Sequence, residues 1–183
     1  MLELSFDDQR ALLTIARAAV CCHLSGKLLP VPPSNPALSG QPSGLFVSLH
    51  LGTDLRGCIG QFEPAGDLAC TTAYLAIQAA TRDPRFVPIS LDEVPQLSIE
   101  LSILSPRFPI DPEQIRIGEH GLVVSAADHH GVLLPQVAVE QRWDRTIFLQ
   151  QTCLKAGLHP DVWKKSTTRI EAFRALVIAE RAF

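Results

Sequence analysis

Apolar positions recur along this chain with two periods, and the changes between them mark out its elements. Over residues 5–23 the spacing is helical: Leu12, Ile15, Ala16, Ala19 and Val20 form one stripe behind Ser5, Asp7 and Asp8, a suitable N-terminus. Residues 26–43 break the pattern with Gly, Ser and prolines at 30, 32, 33, 36 and 42, which predicts an ordered but irregular connector. Gly44 to Leu51 alternates, and Gly52-Thr53-Asp54 turns the chain into Leu55–Ile59, predicting a hairpin. Asp67 is placed to cap a helix through Leu68, Ala73, Ile77 and Ala80. That helix must end before Asp83-Pro84, because proline disfavours helix in the residue before it. Residues 98–104 read as a largely buried strand.

The second half carries an echo of this plan. Gly44-Leu45-Phe46-Val47-Ser48 and Gly121-Leu122-Val123-Val124-Ser125 match at an offset of 77. The same offset sets the turn at Gly52-Thr53 against His129-His130, Glu63 against Glu140, Asp67 against Asp144, and strand 98–104 against 175–181. The fold class expected is α+β: two β-hairpin–helix–strand repeats, about 44–104 and 121–181, plus an N-terminal helix. A pseudo-twofold relation between the repeats is expected with it. Under this alignment Cys58 corresponds to Pro135, so the thiol belongs to one half only.

Composition narrows the class of protein. The 183 residues suffice for a sizeable core, and 46% hydrophobic against 19% charged content argues against disorder. A formal net charge of -3 with no basic stripe makes nucleic acid an unlikely partner. Five scattered cysteines (21, 22, 58, 70 and 153), with no CxxC pair, suit reduced thiols better than a disulfide framework or a zinc site. The N-terminal residues do not read as a signal peptide, and no apolar run is long enough to span a membrane. A cytoplasmic protein with no membrane association is expected.

The most distinctive string is Leu55-Arg56-Gly57-Cys58-Ile59-Gly60, a cysteine between glycines with an arginine two residues upstream. With GLFVSL before it, DPRF at 83–86, SIELSIL at 98–104, HGLVVS at 120–125, LLPQVAVE at 133–140 and TCLKAGL at 152–158, it resembles the AMMECR domain family. That family is the protein A component of the AmmeMemoRadiSam system. The resemblance covers roughly residues 5 to 183, so the whole chain, 1–183, is expected to be a single AMMECR domain with room for a smaller subdomain. It implies an α+β fold of two subdomains and no established activity. It also implies genes encoded beside a Memo-like protein and a radical S-adenosylmethionine protein, hence a shared pathway. The family's motifs fall here on Leu55–Gly60, on Leu134, Pro135, Gln136 and Glu140, on Cys153, Lys155 and Gly157, and on Trp163.

Each candidate residue carries two readings. Cys58 is either a nucleophile or thiol carrier, activated by Arg56 or by a histidine that the fold brings near, or a small residue fitted between glycines. In an extended strand Arg56 and Cys58 share a face, which favours the first reading. Arg56 is alternatively an anion-binding fork, helped by backbone amides at Gly57 and Gly60, or a surface ion pair, for instance with Glu63. Glu140 and His120 are the acid/base candidates beside Cys58, with Glu63 a further carboxylate candidate; the alternative for the two carboxylates is ordinary solvated residues near helix starts. Arg85, which would face the same cleft as Arg56, Gln136 and Trp163 complete the ligand-binding set; the alternatives are that Gln136 satisfies buried backbone groups and that Trp163 seals a core edge. The pair His129-His130 reads as a solvated hairpin tip, and no metal or cofactor is expected.

The function expected is therefore a step in a modification or biosynthetic pathway. It would involve Memo-like and radical S-adenosylmethionine partners and an unknown small-molecule or protein substrate, through a cleft containing the LRGCIG motif. A non-catalytic adaptor or substrate-binding module is the alternative.

Overall fold

A computed structural model describes residues 4–29 and 35–180. The fold is α+β, built from helices and two four-stranded sheets whose recorded strand pairs are antiparallel. The chain divides into two compact units, and the second, 105–175, is inserted between two strands of the first.

The first unit begins with helix α1 (Phe6–Leu24), where Ser5 and Asp8 form a reciprocal capping box. A short 3-10 turn, Pro36–Leu38, follows in the connector; prolines 30, 32 and 33 lie outside the described residues. Strands β1 (Gly44–Leu51) and β2 (Asp54–Phe62) form the hairpin, helix α2 (Leu68–Thr81) follows, and β3 (Leu97–Leu104) pairs back on β1. With β8 (Ala175–Ala179) the sheet order is β2-β1-β3-β8.

Alternation along the strands places this core. Leu45, Val47 and Leu49 of β1 and Ile99, Leu101 and Ile103 of β3 are buried against Leu12, Ala16 and Val20 of α1 and Leu75, Ala76 and Ala79 of α2. The intervening residues of β1, Phe46, Ser48 and His50, occupy the other sheet face and are partly exposed. Arg17 ties α1 to the sheet: its guanidinium bonds the Glu180 carboxylate and donates to the carbonyls of Val94 (2.8 Å) and Leu97 (2.6 Å).

In the second unit, β4 (Phe108–Pro109), β5 (Gly121–Ala126), β6 (His129–Leu133) and β7 (Arg169–Phe173) form a sheet of order β4-β7-β5-β6. Helices α3 (Pro135–Glu140) and α4 (Arg145–Lys155) follow the hairpin. Ile110, Ile115, Leu122, Ala138, Phe148, Leu149 and Ala172 form the core.

The repeated Gly-Leu-x-Val-Ser string has a structural cause. Gly44 pairs with Leu104, and Gly121 pairs with Phe173. In each case a Cβ on the glycine would collide with the partner's side chain, at 2.8 Å and 2.4 Å respectively. Asp67 and Asp144 also match, each capping a helix through its side chain.

The rest of the 77-residue alignment does not hold, and the internal duplication is not confirmed. The second closing strand is 169–173, not 175–181, because 175–179 crosses to the first sheet. The hairpin tip is Ala127-Asp128, where Ala127 takes a positive φ of 49°, and His129-His130 open β6 instead. Pro135 starts α3 instead of continuing a strand, since its fixed φ suits the first helical turn. Glu140 therefore ends a helix, whereas Glu63 sits in a loop at φ 47°. By strand register the counterpart of Cys58 is His130, not Pro135: Ser48 pairs with Cys58 and Ser125 with His130.

The two aspartate caps should contribute alike. Asp67→Ala and Asp144→Ala are each expected to lower unfolding free energy by about 1 kcal/mol, measured by denaturant titration. A change near zero in either would mean that its helix start is held by other contacts.

Candidate functional site

The LRGCIG strand lies at one edge of the first sheet, and most of its residues are fixed by what they touch. Gly57 faces α2, and a Cβ there would sit 2.2 Å from the Ala79 carbonyl oxygen, so the helix reaches this strand only over glycine. Gly60 lies under the Phe46 ring, which a Cβ would meet at 2.0 Å. Ile59 packs against the first core. These two glycines are thus packing contacts.

Arg56 is the extra residue of a β-bulge, since Leu49 pairs with Gly57 and His50 with Leu55. Its guanidinium grips Glu93 through Nε (2.8 Å) and Nη2 (3.3 Å), and its Nη1 donates to the Val87 carbonyl at 2.7 Å. Arg56 holds the Glu93 carboxyl below its ordinary range, with the Ser90 amide adding to the effect. The ion pair considered from sequence was with Glu63; the partner is Glu93. The expected alliance of Arg56 with the thiol gives way to this network.

The cation at Cys58 is Arg85. The Cys58 N–H donates to Asp83 Oδ2 at 2.8 Å, and Arg85 Nη2 donates to the Cys58 carbonyl at 3.3 Å. Asp83 is 5% exposed, and its carboxylate also accepts from Arg85 Nε (2.9 Å), Nη2 (2.7 Å) and backbone N–H (3.1 Å). Arg85 is the main cause of a strongly depressed Asp83 pKa, and the Cys58 amide lowers it further. The Arg85 pKa is raised, chiefly by its hydrogen bond to Asp83, with the charge of that carboxylate adding to the effect.

Because Cys58 turns its peptide groups outward, it forms a non-hydrogen-bonded pair with Ser48, the arrangement that brings facing side chains closest. Ser48 Oγ donates to Cys58 Sγ at 3.2 Å. Register continues the row to Glu100 of β3, opposite Ser48. Ser48, Asp83 and Glu100 were missed from sequence. Alternation from Cys58 through the hairpin could have flagged Ser48, but nothing in the local sequence links Asp83 to Cys58.

His120, Gln136, Glu140 and Trp163 belong to the second unit. His120 is buried, with Nδ1 accepting the Arg116 N–H at 3.2 Å and Nε2 standing 3.7 Å from Glu119 Oε1. Burial lowers its pKa, which favours the neutral ring. Glu140 is exposed at the end of α3, and Gln136 is partly buried near its start. Trp163 packs at the margin of the second core; its Nε1 is buried with no hydrogen-bond partner among the described residues. Cys153 is fully buried, whereas Cys70, in the first turn of α2, is exposed. Among the described residues no three His, Cys, Asp or Glu side chains are grouped to hold a metal ion, and no helix is long and apolar enough to cross a membrane.

The sequence profile of the AMMECR1 family matches residues 13–178. The chain belongs to the AMMECR1 family. Relatives include a protein of Methanothermobacter thermautotrophicus, 42% identical over 185 residues that cover 97% of this chain and 96% of that one. An Aquifex aeolicus protein is 38% identical over 182 residues, covering 95% and 93%. The crystal structure of uncharacterized protein PH0010 from Pyrococcus horikoshii superposes with a TM-score of 0.84 at 38% identity, covering 93% of this chain and 90% of that one. Within this AMMECR1 chain, LRGCIG and DPRF are two halves of one structural unit, joined by Asp83 and Arg85.

A depressed carboxyl pKa has a definite consequence in acid. Asp83 contributes stability that is fully present above the unfolded value of about 3.9 and is lost as pH falls below it. Denaturant titrations between pH 5 and pH 3 should show stability falling more steeply in the native sequence than in Asp83→Asn. Parallel slopes would mean that the carboxylate is not held by these donors.

Proposed function

We propose that this AMMECR domain works in the cytoplasm in a modification or biosynthetic pathway, alongside Memo-like and radical S-adenosylmethionine proteins. It would act through the sheet face that carries Cys58, on a small-molecule or protein substrate. The observation behind this reading is what packing leaves over. Gly57, Ile59 and Gly60 are explained by the helix, the core and the Phe46 ring, and Arg56 by Glu93. Cys58 is partly exposed; its thiol accepts a hydrogen bond from the Ser48 hydroxyl, and the Arg85 guanidinium is held on its carbonyl. A reactive group held by a fixed backbone suits a site that handles a ligand.

A second reading keeps the same surface without chemistry, as an adaptor that presents substrate or docks the partner proteins. The commitment of Arg56 to Glu93 favours it, because that removes the activating cation assigned from sequence.

Co-purification separates the readings. The tagged protein, co-expressed with the Memo-like and radical S-adenosylmethionine proteins of its own source, should retain at least one of them through washing. Cys58→Ser should keep that association on either reading, but abolish pathway product only if the thiol acts chemically. Product formation at the native level by Cys58→Ser would establish the adaptor. Absence of any association, together with normal product when this chain is omitted, would overturn the proposal.

A further inference from the structure

The Arg85 guanidinium is only half committed. Nε and Nη2 serve Asp83 and the Cys58 carbonyl, while Nη1 has no hydrogen bond to any described residue and the side chain is 56% exposed. Its position is nevertheless fixed, because the Asp83 carboxylate that holds it is buried and takes three bonds from Arg85 and one from the Cys58 amide. The Phe86 ring, 5.4 Å from the guanidinium carbon, adds a second restraint. A planar cation pinned on one edge and open on the other is suited to a carboxylate.

The thiol is oriented by independent contacts. Ser48 Oγ bonds the sulfur at 3.2 Å, and the Cys58 peptide is held on both its N–H and its C=O by the Asp83–Arg85 pair. Sulfur and cation therefore share one rigid frame within the first unit, with Asp83 as the positioning residue.

We infer that Cys58 and Arg85 form one site for a small electrophile bearing a carboxylate, Arg85 receiving the anion and Cys58 the electrophilic carbon. In the covalent step the sulfur–carbon bond forms and the bond from that carbon to its leaving group breaks. The leaving group departs with the electron pair, and the thiol proton passes to water. This deepens the proposed function by naming a ligand class, and rests on the Cys58 face being the working surface.

Iodoacetate and iodoacetamide test it, since both alkylate by this step with loss of iodide and only the first is an anion. Alkylation of Cys58 would be followed by peptide mass in the folded protein, with 2-mercaptoethanol as the neutral reference thiol. Relative to that reference, the iodoacetate-to-iodoacetamide rate ratio at Cys58 should be raised roughly three- to five-fold, the size expected of a partly exposed charge contact. Salt at about 1 M should reduce the ratio by screening. Arg85→Gln should abolish the preference and Arg85→Lys should restore part of it, at unchanged fold by circular dichroism. A ratio equal to the reference in the native sequence would overturn the inference without need of any variant, as would a preference that survives Arg85→Gln. Neither result depends on partner association, so failure of this inference and failure of the pathway proposal are told apart by their separate readouts.

Discussion

The buried carboxylate of Asp83 is the interaction on which the first unit's edge depends. A strand at a sheet edge leaves peptide groups without a partner strand, and β2 is such a strand. Asp83 and Arg85 supply at Cys58 what a neighbouring strand would supply, an acceptor for its N–H and a donor for its C=O. Burying a carboxylate is unfavourable unless it is fully hydrogen-bonded, and four donors meet that condition here. The same arrangement fixes where the chain goes after α2. Asp83 ends that connection, Arg85 turns back to the strand, and Val87 and Pro88 lend carbonyls to Arg56. Edge protection and placement of the thiol are thus consequences of one charge.

Much of the fold is legible from local signals. The caps at Ser5, Asp67 and Asp144 declare helix starts by chemistry confined to four residues, and all three form. Strands β1 and β3 alternate because one face of their sheet is covered by helices. The failures lie where a choice depends on distant partners. Residues 175–179 are as apolar as a closing strand of the second sheet should be, yet pair in the first, since apolar content does not specify a sheet. Pro135 and the turn at Ala127-Asp128 were displaced by an offset carried too far. The Gly-Leu-x-Val-Ser match is real at the level of packing, where a glycine lies beneath a large partner in each sheet.

The site was half legible. Cys58, Arg85 and the glycines were singled out from sequence, but their relations were not. Period-two alternation sets Arg56 beside Cys58, and a bulge, invisible in sequence, removes it to Glu93. Arg85, 27 residues on, takes the place beside Cys58. Ser48 meets the thiol, and Glu100 falls opposite Ser48, only through strand register, which hairpin length and the bulge decide together. Membership of the AMMECR1 family and the likeness to the Pyrococcus horikoshii protein establish the scaffold, while the chemistry rests on these few contacts.

Amide hydrogen exchange resolved by residue tests the clamp most directly. Cys58 and Gly60 are both non-hydrogen-bonded partners of β1 on the edge strand, so their N–H groups point away from the sheet. Of the two, only the Cys58 amide meets Asp83, and the Gly60 amide has no acceptor among the described residues. The Cys58 amide is expected to exchange as slowly as inward-facing amides of β1, and the Gly60 amide orders of magnitude faster. Equal, rapid exchange at both positions would contradict the claim that Asp83 closes this edge and positions the thiol.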